Sequence, residues 1–264
     1  MFASSTPSQP LRLAVSGTYS SGKTTATEVL SIATGIPRTD ALTARQILVD
    51  LVPGKQFQQM SAQELLMLGL RRFEERVNGE AALAAGLDGH FISDGSVLHE
   101  WIYGQVRMEI GINPGAPLLH RALKRVAGLP ARRFYQQYMD AYGVVAKHRA
   151  KRTYDSFVHL PVEFEMAKDG HRPVSEKYRH EADRLLISTL EELEIPYTVV
   201  RGSVHERVAQ IIELYTLPQV VSLDDAVAQA TERIARSKDA VAQKLIDNQR
   251  PTSLANKVKY AVTY

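Results

Sequence analysis

The chain has 264 residues, no cysteine and a formal net charge of +3, with 44% hydrophobic and 23% charged residues. That length suits one large α/β domain with insertions or a domain plus a tail, and the missing cysteine excludes disulfides, thiolate metal sites and cysteine nucleophiles. No apolar run approaches the ~20 residues of a membrane span, and the Ser/Thr/Pro-rich stretch 1–10 lacks the regions of a signal peptide, so it reads as a flexible tail with a cytoplasmic location as the default.

The predicted elements alternate strand and helix, the pattern of a parallel sheet covered on both faces. The first strand is Leu11–Val15 and the first helix runs from Gly22 to Ala33, stopped by Thr34-Gly35. Between them Gly17-Thr18-Tyr19-Ser20-Ser21-Gly22-Lys23-Thr24 fits G-x-x-x-x-G-K-[ST] at every fixed position, the phosphate-binding P-loop. Gly17 and Gly22 let the backbone turn so that consecutive N–H groups point inward, and the helix adds its N-terminal partial charge. Lys23 reaches the β- and γ-phosphates, and the Thr24 hydroxyl can ligate Mg²⁺. Thr25 is either an α-phosphate contact or a helix-start residue. At Tyr19 and Ser20 the backbone tells more than the side chain.

Ile36-Pro37-Arg38 is a short second strand or its edge, followed by a helix over about Ala41–Val52. Asp40 is a base for an acceptor hydroxyl or the N-cap of that helix. Arg45, inside it, is a substrate contact or a solvated side chain. Ser61-Ala62-Gln63-Glu64 is a capping box opening a long helix toward Asn78, which Glu80–Gly86 continues or restarts. His90–Asp94 reads as a buried strand ending in a carboxylate. In a P-loop fold Asp94 holds Mg²⁺, often through water, or takes a proton from the attacking hydroxyl. The alternative is a helix cap on Val97–Ile110, for which Ser96 also serves. Trp101, the single Trp, fits helix core.

Residues 111–117 are a clear break. From Arg121 to Arg152 there are nine Lys and Arg against one acid, Asp140. This stretch is a solvated helix face, a wall for a phosphorylated substrate, or a nucleic-acid surface. With Gly104–Arg152 too long for a plain crossover, a helical cover over the site is expected at about 104–152. Tyr154–Leu160 is a strand, Pro161–Pro173 a loop, Val174–Leu193 a helix, Tyr197–Val200 a strand and Ser203–Tyr215 a helix. A helix over about Leu223–Ile246 follows, and Asp247–Tyr264 reads as weakly structured. Within the polar turn Asp169–Pro173, Arg172 can clamp a transferring phosphoryl group, and Arg179 beyond it is a second candidate. The eight His show no metal-ligand spacing, which leaves Thr24 and Asp94 as the Mg²⁺ residues. No guanine-reading Asn/Thr-Lys-x-Asp element occurs, which favours ATP over GTP.

The P-loop, Arg38-Thr39-Asp40 to Arg45, Phe91–Ser96, Asp169–Arg172, and Ile195-Pro196-Tyr197 leading to Gly202 and Arg207 together resemble one branch of the P-loop kinases. These are the AAA-like ATPases similar to the bacterial nicotinamide riboside kinase domain, with deoxynucleoside and thymidylate kinases more distant. The resemblance spans about residues 11–215. It implies a P-loop NTPase with a five-stranded parallel sheet and ATP-dependent phosphorylation of a small molecule. Relatives often read Asp-Arg-Ser where this chain has Asp94-Gly95-Ser96.

The expected organisation is a tail over 1–10, a P-loop kinase-like domain over 11–216, and a C-terminal helical extension over 217–264, for oligomer contact or packing onto the core. The expected function is Mg²⁺-ATP-dependent phosphorylation of a nucleoside, nucleotide or similar hydroxylated acceptor, with no membrane partner. The rivals are an ATP- or GTP-binding regulatory protein working through a partner, and a polynucleotide end kinase or nucleic-acid binder using the basic stretch.

Overall fold

The computed structural model describes residues 10–39, 42, 44–52, 60–86, 88–110, 129–163 and 175–247. In chain order the elements are β1 (Arg12–Ser16), α1 (Lys23–Thr34), α2 (Ala44–Leu51), α3 (Ala62–Ala84), β2 (Phe91–Asp94), α4 (Val97–Ile110), α5 (Leu129–Thr153), β3 (Ser156–His159), α6 (Glu176–Glu192), β4 (Tyr197–Val199), α7 (Val204–Leu214) and α8 (Leu223–Asp247).

The strands form one parallel sheet in the order β2-β1-β3-β4. The expected fifth strand survives as a single bridge, Arg38 to Ile92, at the β2 edge. The Ile92 N–H donates to the Pro37 carbonyl and the Thr39 N–H to the Ile92 carbonyl, each at 2.9 Å. Pro37 has no N–H to extend the ladder toward Ile36. The chain leaves β1 toward β2 on one side and returns to β3 on the other, so the carboxyl end of β1 is the switch point where such sheets take ligands.

Side-chain alternation along the strands separates two cores. Leu13, Val15, Ile92, Val158 and Leu160 face α1, α7 and α8 with Val29, Leu30, Val208 and Ile211. Ala14, Phe91 and Phe157 face the opposite layer, with Trp101, Ile102, Met139, Tyr142, Tyr178 and Leu186. Ser61 accepts from the Glu64 N–H and Glu64 accepts from the Ser61 N–H, and from this capping box α3 runs unbroken through Glu80 to Ala84.

The long helix α5 packs on α4 through Met139, Tyr142, Ala146 and Ala150, all buried at helical spacing. The close approach uses Gly143, where a Cβ would lie 2.8 Å from the Trp101 ring. Trp101 donates from Nε1 to the Met139 carbonyl at 3.0 Å, so it is indeed helix core. On the other layer, α8 buries Ala226 and Ala230 against the sheet face that α1 covers. Glu28 of α1 pairs with Arg38 at 2.5 Å and with Arg233 of α8 at 3.3 Å. Among the described residues no helix is long and apolar enough to cross a membrane.

Candidate active site

The P-loop connects β1 to α1 at the carboxyl end of the central strand. Its backbone takes conformations that explain the glycines. Gly17 has φ +142, and a Cβ there would sit 2.5 Å from the Leu160 carbonyl oxygen and 2.6 Å from Ser21 Oγ. Gly22, at the helix N-cap, has φ +86, and Ser20 is left-handed at φ +59 without being glycine. Among the described residues no side chain caps the amino end of α1 and no acid stands in its first turn. The helix therefore offers its N-terminal N–H groups and partial positive charge to an anion, with Lys23 as its first residue.

Asp94 ends β2 and pairs in register with Val15. The Gly95 N–H donates to the Val15 carbonyl at 2.9 Å, fastening the turn after β2 to the strand that feeds the P-loop. Asp94 Oδ1 is buried and accepts no hydrogen bond among the described residues. The first N–H of α4, at Val97, is satisfied by the Tyr154 hydroxyl at 3.0 Å. An orphaned carboxylate oxygen on the strand next to the P-loop is costly unless a cation or donor completes it. A hard divalent cation such as Mg²⁺ suits a carboxylate oxygen of this kind. No cluster of three or more His, Cys, Asp or Glu suited to a metal is found among the described residues.

A buried polar network supports Asp94 from behind. Arg76 of α3 donates to the Asp94 carbonyl at 3.0 Å and to Ser93 Oγ at 3.2 Å. It pairs with Glu100 of α4 at 2.9 Å, and Arg72 reaches the same carboxylate at 3.0 Å. Ser93 and Tyr154 both donate to Glu80 Oε1, at 2.8 and 2.6 Å. Burial raises the Glu80 carboxyl above its ordinary range, outweighing Arg76. Arg76 also fills the space beside Gly95: a Cβ there would lie 3.4 Å from Nη2, on a backbone at φ +85. Gly95 is thus left-handed, and a guanidinium reaches it from α3.

Tyr19 turns its ring out of the loop. It stacks on Tyr103 of α4 at 4.6 Å and on Tyr178 of α6 at 6.1 Å, so its side chain fastens the P-loop to two helices. His99 is buried below the loop. The Gly17 N–H approaches its Nε2 at 3.4 Å, and Ser96 contacts its Nδ1 through both N–H and hydroxyl. Burial first, then the nearby cations Lys23 and Arg76, push the His99 imidazole well below its ordinary pKa.

The remaining candidates divide. Asp40 and Arg172 lie outside the described residues, as does the 121–128 part of the basic stretch 121–152. Arg45 is in the first turn of α2, with its side chain outside the described set. Arg179, fully buried in the first turn of α6, pairs with Glu176 at 2.9 Å. Arg149 and Arg152 line a groove with Arg12, at the amino end of the strands and away from the P-loop. Arg72, Arg76 and Glu100 were not picked out by sequence reasoning. The signal was present in α3, where Arg72, Arg76 and Glu80 recur at intervals of four on one helix face.

Residues 12–207 match the family model described as AAA domain. No curated protein sequence matches. Among solved structures, a deoxyadenosine kinase from M. mycoides, with products dCMP and a flexible dCDP bound, is similar at TM-score 0.53 and 14% identity, covering 78% of this chain and 99% of that one. NadR protein in complex with NAD and AMP-PNP is similar at TM-score 0.52 and 13% identity, covering 81% of this chain and 52% of NadR. NadR in complex with NR gives TM-score 0.52 at 14% identity over 81% and 54% of the two chains. The chain thus spans about half the length of NadR, and at these identities the likeness establishes the fold. The chain belongs to the AAA domain family and has the P-loop nucleoside kinase fold, as the residues of its P-loop and second strand implied.

Proposed function

We propose that the protein is a Mg²⁺-ATP-dependent phosphotransferase that phosphorylates a hydroxyl of a small metabolite, a nucleoside, nucleotide or similar compound. The observation that carries this is the juxtaposition of two features. An uncapped P-loop helix offers N–H groups for a triphosphate, and Asp94, with an unsatisfied buried oxygen, stands on the adjacent strand. The kinase fold of the solved relatives supports the same reading.

The backbone of 17–24 cradles the β- and γ-phosphates, and Lys23 neutralises charge on them. Thr24 and Asp94 are the residues that would hold Mg²⁺, which supplies charge neutralisation to the phosphates when bound. The acceptor hydroxyl loses its proton to Asp94 or to Asp40 as its oxygen attacks the γ-phosphorus in line. The bond to the β-γ bridging oxygen breaks, giving a phosphomonoester and ADP. Arg172 is proposed to meet the transferring group and Arg45 the acceptor, while Arg179 is fully buried in its pair with Glu176.

The test is ADP release over a panel of hydroxylated metabolites, wild type against Lys23→Ala. Acceptor-dependent ADP that disappears in a folded Lys23→Ala supports the assignment. An equal rate in that variant, or slow hydrolysis independent of any acceptor, contradicts it and favours a nucleotide-dependent regulator.

A further inference from the structure

We infer that Arg207 is a positioning residue for the phosphate cradle, acting through the Ser21–Gly22 peptide; this rests on the reading of the P-loop as an ATP site. Arg207 stands in the first turn of α7, is fully buried, and donates from Nη1 to the Ser21 carbonyl at 2.6 Å. Its Nη2 contacts Glu163 at 2.5 Å. Glu163 also accepts from the Gly202 N–H at 3.2 Å and from Arg201 at 3.3 Å. A guanidinium therefore bridges the turn before α7, the residues after β3 and the crown of the P-loop.

The peptide between Ser21 and Gly22 is planar and trans, so its C=O and N–H point in opposite directions. Drawing the oxygen out toward Arg207 turns the Gly22 N–H to the other side, as a donor for the β-phosphate. The reverse orientation would present a carbonyl oxygen to an anion. The Ser21 carbonyl accepts from Arg207, which lies outside the loop. Of the loop's internal contacts, Ser21 N–H to the Thr18 carbonyl is 3.4 Å long, and the Tyr19 N–H to Thr18 Oγ1 at 2.6 Å does not involve the Ser21–Gly22 peptide. Ser20, which is not a glycine, holds left-handed φ at +59, a conformation that persists only where surroundings over-determine it.

Charge alone does not explain the residue. The Arg207 guanidinium holds the Glu163 carboxyl below its ordinary range, so the pair is formally neutral and its work is orientation. The planar fork is what lets one side chain hold Ser21 and Glu163 at once, which an ammonium cannot reproduce.

Calorimetric titration of the full chain with Mg²⁺-ATP, Mg²⁺-ADP and AMP decides the matter, for wild type, Arg207→Lys and Glu163→Gln, with the melting temperature of each recorded without nucleotide. In Arg207→Lys, ATP and ADP affinity should fall about ten-fold or more, while AMP, which lacks the β-phosphate, binds as in wild type. Glu163→Gln keeps Arg207 but loosens it and should weaken ATP by about three-fold or more. ATP affinity unchanged in Arg207→Lys overturns the inference, as does equal weakening of ATP and AMP. If Arg207→Lys does not fold, Glu163→Gln decides alone, and wild-type ATP and AMP affinities there overturn it. A wild-type chain that binds no ATP would instead refute the kinase reading on which the inference stands.

Discussion

The guanidinium of Arg76 donates to the backbone carbonyl of Asp94 at 3.0 Å while pairing with Glu100 at 2.9 Å, so a helix-borne cation anchors the strand end that carries the candidate metal carboxylate. Both side chains are nearly inaccessible, at 6% and 2% exposure. Removing one member of a buried pair leaves the other charge uncompensated. Arg76→Met is expected to destabilise the fold by about 3–5 kcal/mol in chemical denaturation. Combined with Glu100→Gln, the loss should be less than additive by about 1 kcal/mol or more. Strict additivity would show that the two do not act together.

Gly17→Ala places a Cβ against the Leu160 carbonyl and Ser21 Oγ on a backbone at φ +142. Leu160 is itself tied to β1, its N–H donating to the Ser16 carbonyl at 2.9 Å, so the loop must yield. ATP affinity should drop on the order of ten- to hundred-fold. Equilibrium titration of the folded variant checks this, and wild-type affinity would contradict the geometry.

Gly143→Ala forces α5 away from Trp101, since the new methyl would lie 2.8 Å from the ring. Overpacking of this kind costs about 1–3 kcal/mol. Trp101 is the single Trp, so its emission reports the displacement directly, and a loss of stability should accompany a changed emission maximum.

His99 gives a pH dependence of defined sign. Burial and the neighbouring cations depress its pKa well below the ordinary 6.5. Between the folded and unfolded values only the unfolded chain takes the proton. The stability contribution is therefore complete above pH 6.5 and is lost progressively as the pH falls below it. His99→Gln, which keeps an acceptor for the neighbouring N–H groups, should flatten the denaturation midpoint between about pH 6.5 and 5. Parallel profiles for the two proteins would contradict the assignment.

What could be read from the sequence follows from where each signal lies. The P-loop is contiguous, because a phosphate cradle needs set residue types at set spacing, and the helix Val97–Ile110 was bounded by local chemistry. The Arg207 contact with Ser21 joins residues 186 apart in sequence and leaves no local trace. The second strand was read at Ile36–Arg38 but makes one bridge there, since Pro37 cannot donate. Tyr19 looked uninformative because its value lies in Tyr103 and Tyr178, supplied by two distant helices. An acceptor would be harder to read for the same reason, since small-molecule pockets are assembled from side chains far apart in sequence.

The central claim, phosphoryl transfer to a small hydroxylated acceptor, is tested most directly with γ-labelled ATP and a panel of nucleosides, nucleotides and nicotinamide riboside. The account predicts label in a phosphorylated acceptor, formed by the wild-type chain and lost in Asp94→Asn. Label appearing only as inorganic phosphate, at the same rate with and without every acceptor, would contradict it.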